Sequence, residues 1–241
     1  MRRNHRSSAE YLRSQDLFEQ GTIHALPGLT VGQTVFFASA PSGREAGPKL
    51  TLRLLQALGR LDPRWRNATD ENTFTLHKTP LGGPYLWVGD RQGPPLSFSH
   101  GEGRLWAAMG SHGCVGIDVA YPEEFTGGYP FKRAFRPEEL NCDRAFGHKN
   151  TARAAALIWS LKEAAVKAAG TGFNCYDPLE VRVGNSRIGG RGILFDVWAG
   201  GSISAWARTE GRGWLAVASA QRASGHCAAG SFWLQNIAKR L

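Results

Sequence analysis

The chain has 241 residues, enough to bury one large core or two of roughly 100 residues each. A 42% apolar share with 20% charged residues excludes a disordered chain. The balance of 29 Lys and Arg against 20 Asp and Glu points to an acidic partner, such as a nucleic acid, a phosphorylated ligand or an acidic protein. The basic residues are dispersed, and the densest group, the N-terminal MRRNHR, reads as a solvated tail. No stretch approaches the roughly 18 apolar residues of a membrane span, and no apolar signal region opens the chain. The four cysteines form no CxxC pair. They are read as incidental thiols of a reduced cytoplasmic protein, with His112–Cys114 and His226–Cys227 not metal half-sites.

Residues 1–34 read as tail and loop. Residues 34–38 form the first predicted strand, broken by Ala40-Pro41-Ser42-Gly43. Leucines at 50, 54, 55, 58 and 61 predict a helix over 49–61, stopped by Asp62-Pro63. Short β segments are expected at 73–77 and 85–88, with a further strand at 96–99 and a helix or strand at 105–109. Gly110-Ser111-His112-Gly113 is a joint between two lobes. In Val115-Gly116-Ile117-Asp118-Val119 the apolar residues alternate, so Gly116 and Asp118 share the other strand face. A glycine beside an acid on one face permits the close approach of a backbone or a ligand.

Residues 121–150 read as a loop with short helical pieces. Residues 152–169, alanine-rich and free of Gly and Pro, predict the strongest helix, ended by Gly170-Thr171-Gly172. Strands are expected at 179–183, 192–198, 201–208 and 213–220, and a short docking helix in the last 15 residues. Both halves mix helix with short strands, which predicts an α+β protein of two lobes, 1–112 and 113–241.

On a helix, Trp159, Glu163, Val166, Lys167 and Gly170 fall on one stripe. Glu163 and Lys167 read either as an ordinary surface pair, worth about 0.3–0.5 kcal/mol, or as part of a site. Asp118 and Glu163 from separate elements would make a hard-oxygen site suited to Mg²⁺, which takes one or two carboxylates beside substrate phosphates. Lys167 could neutralise phosphate charge, and Glu163 could take a proton from an attacking hydroxyl. Ser99-His100-Gly101 offers donors for phosphate. No GxSxG elbow is present, so a serine hydrolase is not expected.

Val115-Gly116-Ile117-Asp118, followed by Glu163 within Trp159-Ser160-Leu161-Lys162-Glu163-Ala164-Ala165-Val166-Lys167, resembles the paired signature of the 4'-phosphopantetheinyl transferases. Ser99-His100, the run from Phe131 to Glu139, Gly170-Thr171-Gly172-Phe173 and Pro178-Leu179 add to the likeness. The length resembles the two-lobed Sfp-type branch. The resemblance implies two pseudo-twofold-related lobes, each with a small antiparallel sheet and packed helices, and a coenzyme A cleft between them. It also implies transfer of the phosphopantetheine arm to a serine of an acyl or peptidyl carrier protein. By motif position Asp118 and Glu163 resemble Mg²⁺ ligands, and Glu163 also the base, with Lys162 assisting. Lys167, Ser99 and His100 resemble phosphate contacts of coenzyme A. Arg44, Lys49 and Arg53 fall where the family's other basic contacts lie.

Two departures stand out. Ala120 replaces a third acid common in the family, which predicts weaker Mg²⁺ binding. Gly83 replaces a coenzyme A-binding lysine, for which Lys78 is the substitute. The carrier is expected to dock on 121–135 through Phe125, Tyr129 and Phe131. The resemblance further implies a monomer. The alternatives are a non-catalytic relative that binds coenzyme A or a carrier, and a nucleic-acid-binding protein. The dispersed charge and core-like tryptophans speak against the latter.

Overall fold

The computed structural model describes residues 22–68, 70–140, 150–189 and 191–221. The N-terminal half holds β1 (His24–Pro27), β2 (Thr34–Pro41), α1 (Ala46–Gly59), β3 (Phe74–Lys78), β4 (Pro84–Val88), β5 (Arg91–Gln92), β6 (Leu96–Gly101) and β7 (Arg104–Gly110). The C-terminal half holds β8 (Cys114–Ala120), α2 (Phe131–Ala134), α3 (Thr151–Ala168), β9 (Arg182–Gly189), β10 (Gly192–Trp198), β11 (Ser202–Glu210) and β12 (Gly213–Ala220). A four-stranded sheet runs β1-β2-β7-β6, a five-stranded sheet β8-β12-β11-β10-β9, and a small sheet β3-β4-β5. All their pairings are antiparallel, and the architecture is α+β.

The two large sheets stack face to face, and each carries a helix on its outer side. Side-chain alternation builds these layers. Val35, Phe37, Trp106 and Ala108 meet Val115, Ile117, Val119, Leu215 and Val217 between the sheets. The intervening Phe36, Ala38, Leu105, Ala107 and Met109 face α1, where Leu50, Leu54, Leu55 and Leu58 bury their side chains. On the other side Ala120, Trp214, Ala216 and Ala218 face α3 through Leu157, Leu161, Ala164 and Ala168.

Several boundaries differ from the sequence expectation. β1 was expected to be loop; Pro27 ends a strand of only four residues, too short for a clear pattern. α1 begins at Ala46, because Pro48 is tolerated in a first turn, and Leu61 beyond its end is 60% exposed. The strand expected at 179–183 begins at Arg182. The region 105–109 is strand, and α2 is one of the short helical pieces foreseen after 121. Cys114 is disulfide-bonded rather than a reduced thiol, and Cys175 is free. The N-terminal tail and the docking helix expected in the last 15 residues lie outside the described residues. Among the described residues, no helix is long and apolar enough to cross a membrane.

Candidate active site

α3 is held at both ends. The Asn150 side chain accepts hydrogen bonds from the amides of Ala152 (2.9 Å) and Arg153 (3.2 Å). At the other end Gly170 adopts φ +81°, and the amides of Thr171 and Gly170 return to the carbonyls of Val166 and Lys167. This left-handed cap fixes where the last turn, and so Lys167, stops. The helix lies directly on β8 because Gly116 has no side chain. A Cβ there would overlap the Ala164 carbonyl oxygen and come within 2.7 Å of the Ala168 amide nitrogen. What approaches Gly116 is therefore the backbone of α3.

That contact sets Asp118, one step along the same face, beside the last turns of α3. Lys167 Nζ donates to Asp118 Oδ1 at 2.6 Å and to the Ile117 carbonyl at 3.3 Å. It lies 3.7 Å from Glu163 Oε2. One ammonium thus joins two carboxylates from a strand and a helix, so the pair is more than a surface i,i+4 contact. Burial pushes the Asp118 carboxyl up, and Lys167 and the Ser99 hydroxyl oppose that shift. Burial also raises Glu163, with Lys167 pulling it down and the Asp118 charge adding to the rise.

β8 and β6 are edge strands of the two large sheets, and they meet at this point. Serine side chains join them in place of a backbone ladder. The Ile117 amide donates to Ser97 Oγ at 3.2 Å, and Ser99 Oγ donates to Asp118 at 2.8 Å. Ser99 is 6% exposed, and its proton is committed to Asp118. The partner of its hydroxyl is thus Asp118, where the resemblance expects a phosphate. Ser97 was missed; its signal was the i,i+2 spacing from Ser99, which puts both hydroxyls on one strand face.

The other expected residues are placed apart from this cluster. His100 is exposed and sits in register with Leu105, on the β6 face that α1 covers. Arg44 is exposed in the turn before α1; Lys49 and Arg53 follow on one side of that helix. None of these four is bonded to Asp118, Glu163 or Lys167 among the described residues. Lys78, the substitute for the missing lysine, is exposed at the end of β3, opposite Pro84. Phe125 is 3% exposed and belongs to the core, which removes it from the docking residues. Tyr129 and Phe131 are half-buried at its edge.

Lys162 does not reach the cluster. It is fully buried, with Nζ 2.8 Å from Glu139 Oε2 and donating to the carbonyls of Ala134 (3.0 Å) and Pro178 (2.9 Å). Its ammonium is engaged there, while the adjacent Glu163 turns about 100° around the helix to Lys167. The catalytic assistance expected of Lys162 is withdrawn.

The cluster offers a raised carboxylate as proton acceptor and an ammonium for an anion. Asp118 and Glu163 also converge on one cation position, now filled by Lys167 Nζ. That donor set fits a hard divalent ion taking one or two carboxylates, with its remaining positions left to water and ligand oxygens. Ala120 contributes no side-chain oxygen, and its methyl group is fully buried against the α3 core. No group of three or more His, Cys, Asp or Glu among the described residues is arranged for a metal.

Residues 114–217 match the family model of the 4'-phosphopantetheinyl transferase superfamily. The match takes in β8, α3 and the five-stranded sheet as far as the middle of β12, under half of the chain. Within it fall Gly116, Asp118, Glu163 and Lys167, the residues that the fold brings together. Comparison with curated proteins gives no match.

Proposed function

We propose that the protein transfers the 4'-phosphopantetheine arm of coenzyme A to a serine hydroxyl of an apo acyl or peptidyl carrier protein. One observation carries the reading. Inside the stretch similar to phosphopantetheinyl transferases, a single ammonium holds two carboxylates from β8 and α3 at 2.6 and 3.7 Å. In the proposed reaction the serine oxygen forms a bond to the phosphorus that bears the pantetheine arm. The bond from that phosphorus to the oxygen bridging to the adenosine bisphosphate breaks, and adenosine 3',5'-bisphosphate leaves.

Glu163 takes the serine proton. Its raised affinity for protons brings it closer to an effective general base than an exposed glutamate. Lys167 binds the pyrophosphate as a point charge. Asp118 and Glu163 would hold Mg²⁺, which when bound stabilises negative charge on the leaving group. Ser99 orients Asp118. In this reading the N-terminal lobe, 1–112, supplies coenzyme A contacts through His100, Arg44, Lys49 and Arg53. The lobe 113–241 supplies the metal and catalytic groups, in an Sfp-type monomer. The carrier docks beside Tyr129 and Phe131, where the exposed Lys132 and Arg133 face an acidic partner.

The test is intact-mass spectrometry of apo carrier proteins incubated with the protein, coenzyme A and Mg²⁺. A phosphopantetheine mass gain is expected, lost with EDTA and in Glu163→Ala. No gain on carriers of several types, despite measurable coenzyme A binding, would sink the reading in favour of a non-catalytic relative. Tyr129→Ala and Phe131→Ala are expected to raise KM for the carrier and leave coenzyme A binding intact. A change in coenzyme A affinity instead would move the docking site elsewhere.

A further inference from the structure

We infer that Lys162 and Glu139 are positioning residues: a buried ionic pin that fixes the rotation of α3 and thereby holds Glu163 toward Asp118. The inference rests on the transferase reading. Lys162 and Glu139 are 0% and 2% exposed, and their charged atoms are 2.8 Å apart. Every donor of the ammonium is used, on Glu139, the Ala134 carbonyl and the Pro178 carbonyl. Both oxygens of Glu139 are used as well. Oε1 accepts from the Val183 amide at 3.0 Å, and Oε2 accepts from the Arg136 amide at 2.9 Å. Arg136 then clasps the Leu179 carbonyl through Nε and Nη2 at 3.2 and 2.8 Å. Three segments meet at the pin: α3, the turn 134–139 and the approach to β9.

A buried ion pair is a poor source of stability compared with apolar residues of the same volume, because both charges are desolvated. Desolvation here lowers the Lys162 pKa against the pull of Glu139. What a fully satisfied network supplies is a single geometry. The rest of the buried α3 surface in this core is mostly alanine, at 155, 156, 164, 165 and 168, with Leu157, Ile158, Leu161 and Val166. Alanines set the distance of a helix well and its rotation poorly, so directional contacts must add to what the four larger side chains fix. Lys162 precedes Glu163 directly, so any rotation it permits is delivered to the Glu163 carboxylate.

The test compares the parent with the neutral pair Lys162→Met/Glu139→Gln in carrier phosphopantetheinylation, with thermal unfolding recorded alongside. The expected result is a melting temperature below that of the parent, because two buried carbonyls and a buried amide lose their partners, with a kcat of the folded fraction lower by roughly 30-fold or more and an unchanged KM for coenzyme A. A merely structural pair would lower stability and leave the kcat of the folded fraction alone. A folded double variant with parental kcat overturns the inference and leaves the transferase reading standing. A parent inactive on all carriers overturns the reading, and the inference with it. If the double variant does not fold, Arg136→Met loosens the same turn from a half-buried position. It should lower kcat at least threefold at constant coenzyme A KM, and an unchanged kcat there overturns the inference too.

Discussion

Gly116→Ala isolates the contact on which the site depends. The new Cβ would overlap the Ala164 carbonyl oxygen and sit 2.7 Å from the Ala168 nitrogen, where ordinary contact begins near 3.4 Å. Both neighbours are helix backbone, which cannot rotate aside, so α3 must lift by about 0.7 Å at Ala168 and further at Ala164. A gap of roughly 0.5–1 Å forfeits a quarter to a half of each dispersion contact it opens. The contacts at risk are those of Leu161, Ala164, Ala165 and Ala168 with Ala216 and Ala218. Overpacking of a close-packed core costs roughly 1–3 kcal/mol, and a clash against backbone belongs at the upper end. Replacing Gly by Ala also stiffens the unfolded chain, which returns at most about 1 kcal/mol. The net expectation is a loss of about 2 kcal/mol, read as a lower urea midpoint at constant slope. The same lift draws Lys167 and Glu163 away from Asp118, so transfer should fall roughly 100-fold in the folded fraction. A variant with the parental midpoint would refute the claim that this glycine exists to seat the helix.

The pH profile follows from Glu163. Its carboxyl is raised above the usual 4.5 by burial, and as the proposed base it must be ionised, so kcat should climb with pH through that raised value. Lys167 opposes the shift, so Lys167→Met should move the limb to higher pH; an unmoved limb would contradict the pairing. The stability sign is the reverse. The folded form keeps a proton that the unfolded chain releases, so the stability that Glu163 contributes is present below its unfolded pKa and lost as pH rises through the folded one. Glu163→Gln should flatten that decline in the metal-free protein. Ser99→Ala removes a hydrogen bond to a buried carboxylate, worth about 1.5–3 kcal/mol, and should lower kcat without raising the coenzyme A KM. A rise in that KM instead would restore Ser99 as a phosphate contact. Ala120→Glu should tighten Mg²⁺ binding measured by calorimetry, at a stability cost above the roughly 1–3 kcal/mol of overpacking, because the new carboxylate is desolvated in a position that is fully buried. Unchanged affinity would show that the missing third acid is not the weak point.

Periodicity and punctuation made much of this architecture legible. Alternation in 115–119 placed Asp118 and Gly116 on one face, and the alanine run placed α3 with its glycine stop. Helical spacing put Glu163 and Lys167 on one stripe. The sequence pattern could not say which partner each polar group finds. Lys162 and Lys167 look alike in the string; the fold sends one into a wholly buried pocket of carbonyls and the other to Asp118. Ser99 reads as a ligand contact because a hydroxyl near glycine suits phosphate. Its actual partner is 19 residues away, on the edge strand of the other sheet. Such pairings depend on tertiary register, which carries no local period. β1 escaped for another reason: four residues ending in proline give too short a pattern to register.

The cluster belongs to neither half of the chain alone. Asp118 and α3 lie within the stretch that matches the transferase superfamily, whereas the serines that meet β8 come from β6, outside it. The same seam is needed for burial. One face of the five-stranded sheet is covered by α3, and the other presents Val115, Ile117, Val119, Leu215 and Val217 to Phe37, Trp106 and Ala108 of the first sheet. Without the N-terminal sheet those five side chains would face water, at about 1.5–3 kcal/mol each. The amide of Ile117 would lose Ser97, and Asp118 would lose Ser99. The strand that carries the acid is therefore an edge strand made safe by its neighbour. The pairing that shields it is also what aims its carboxylate at Lys167 and Glu163.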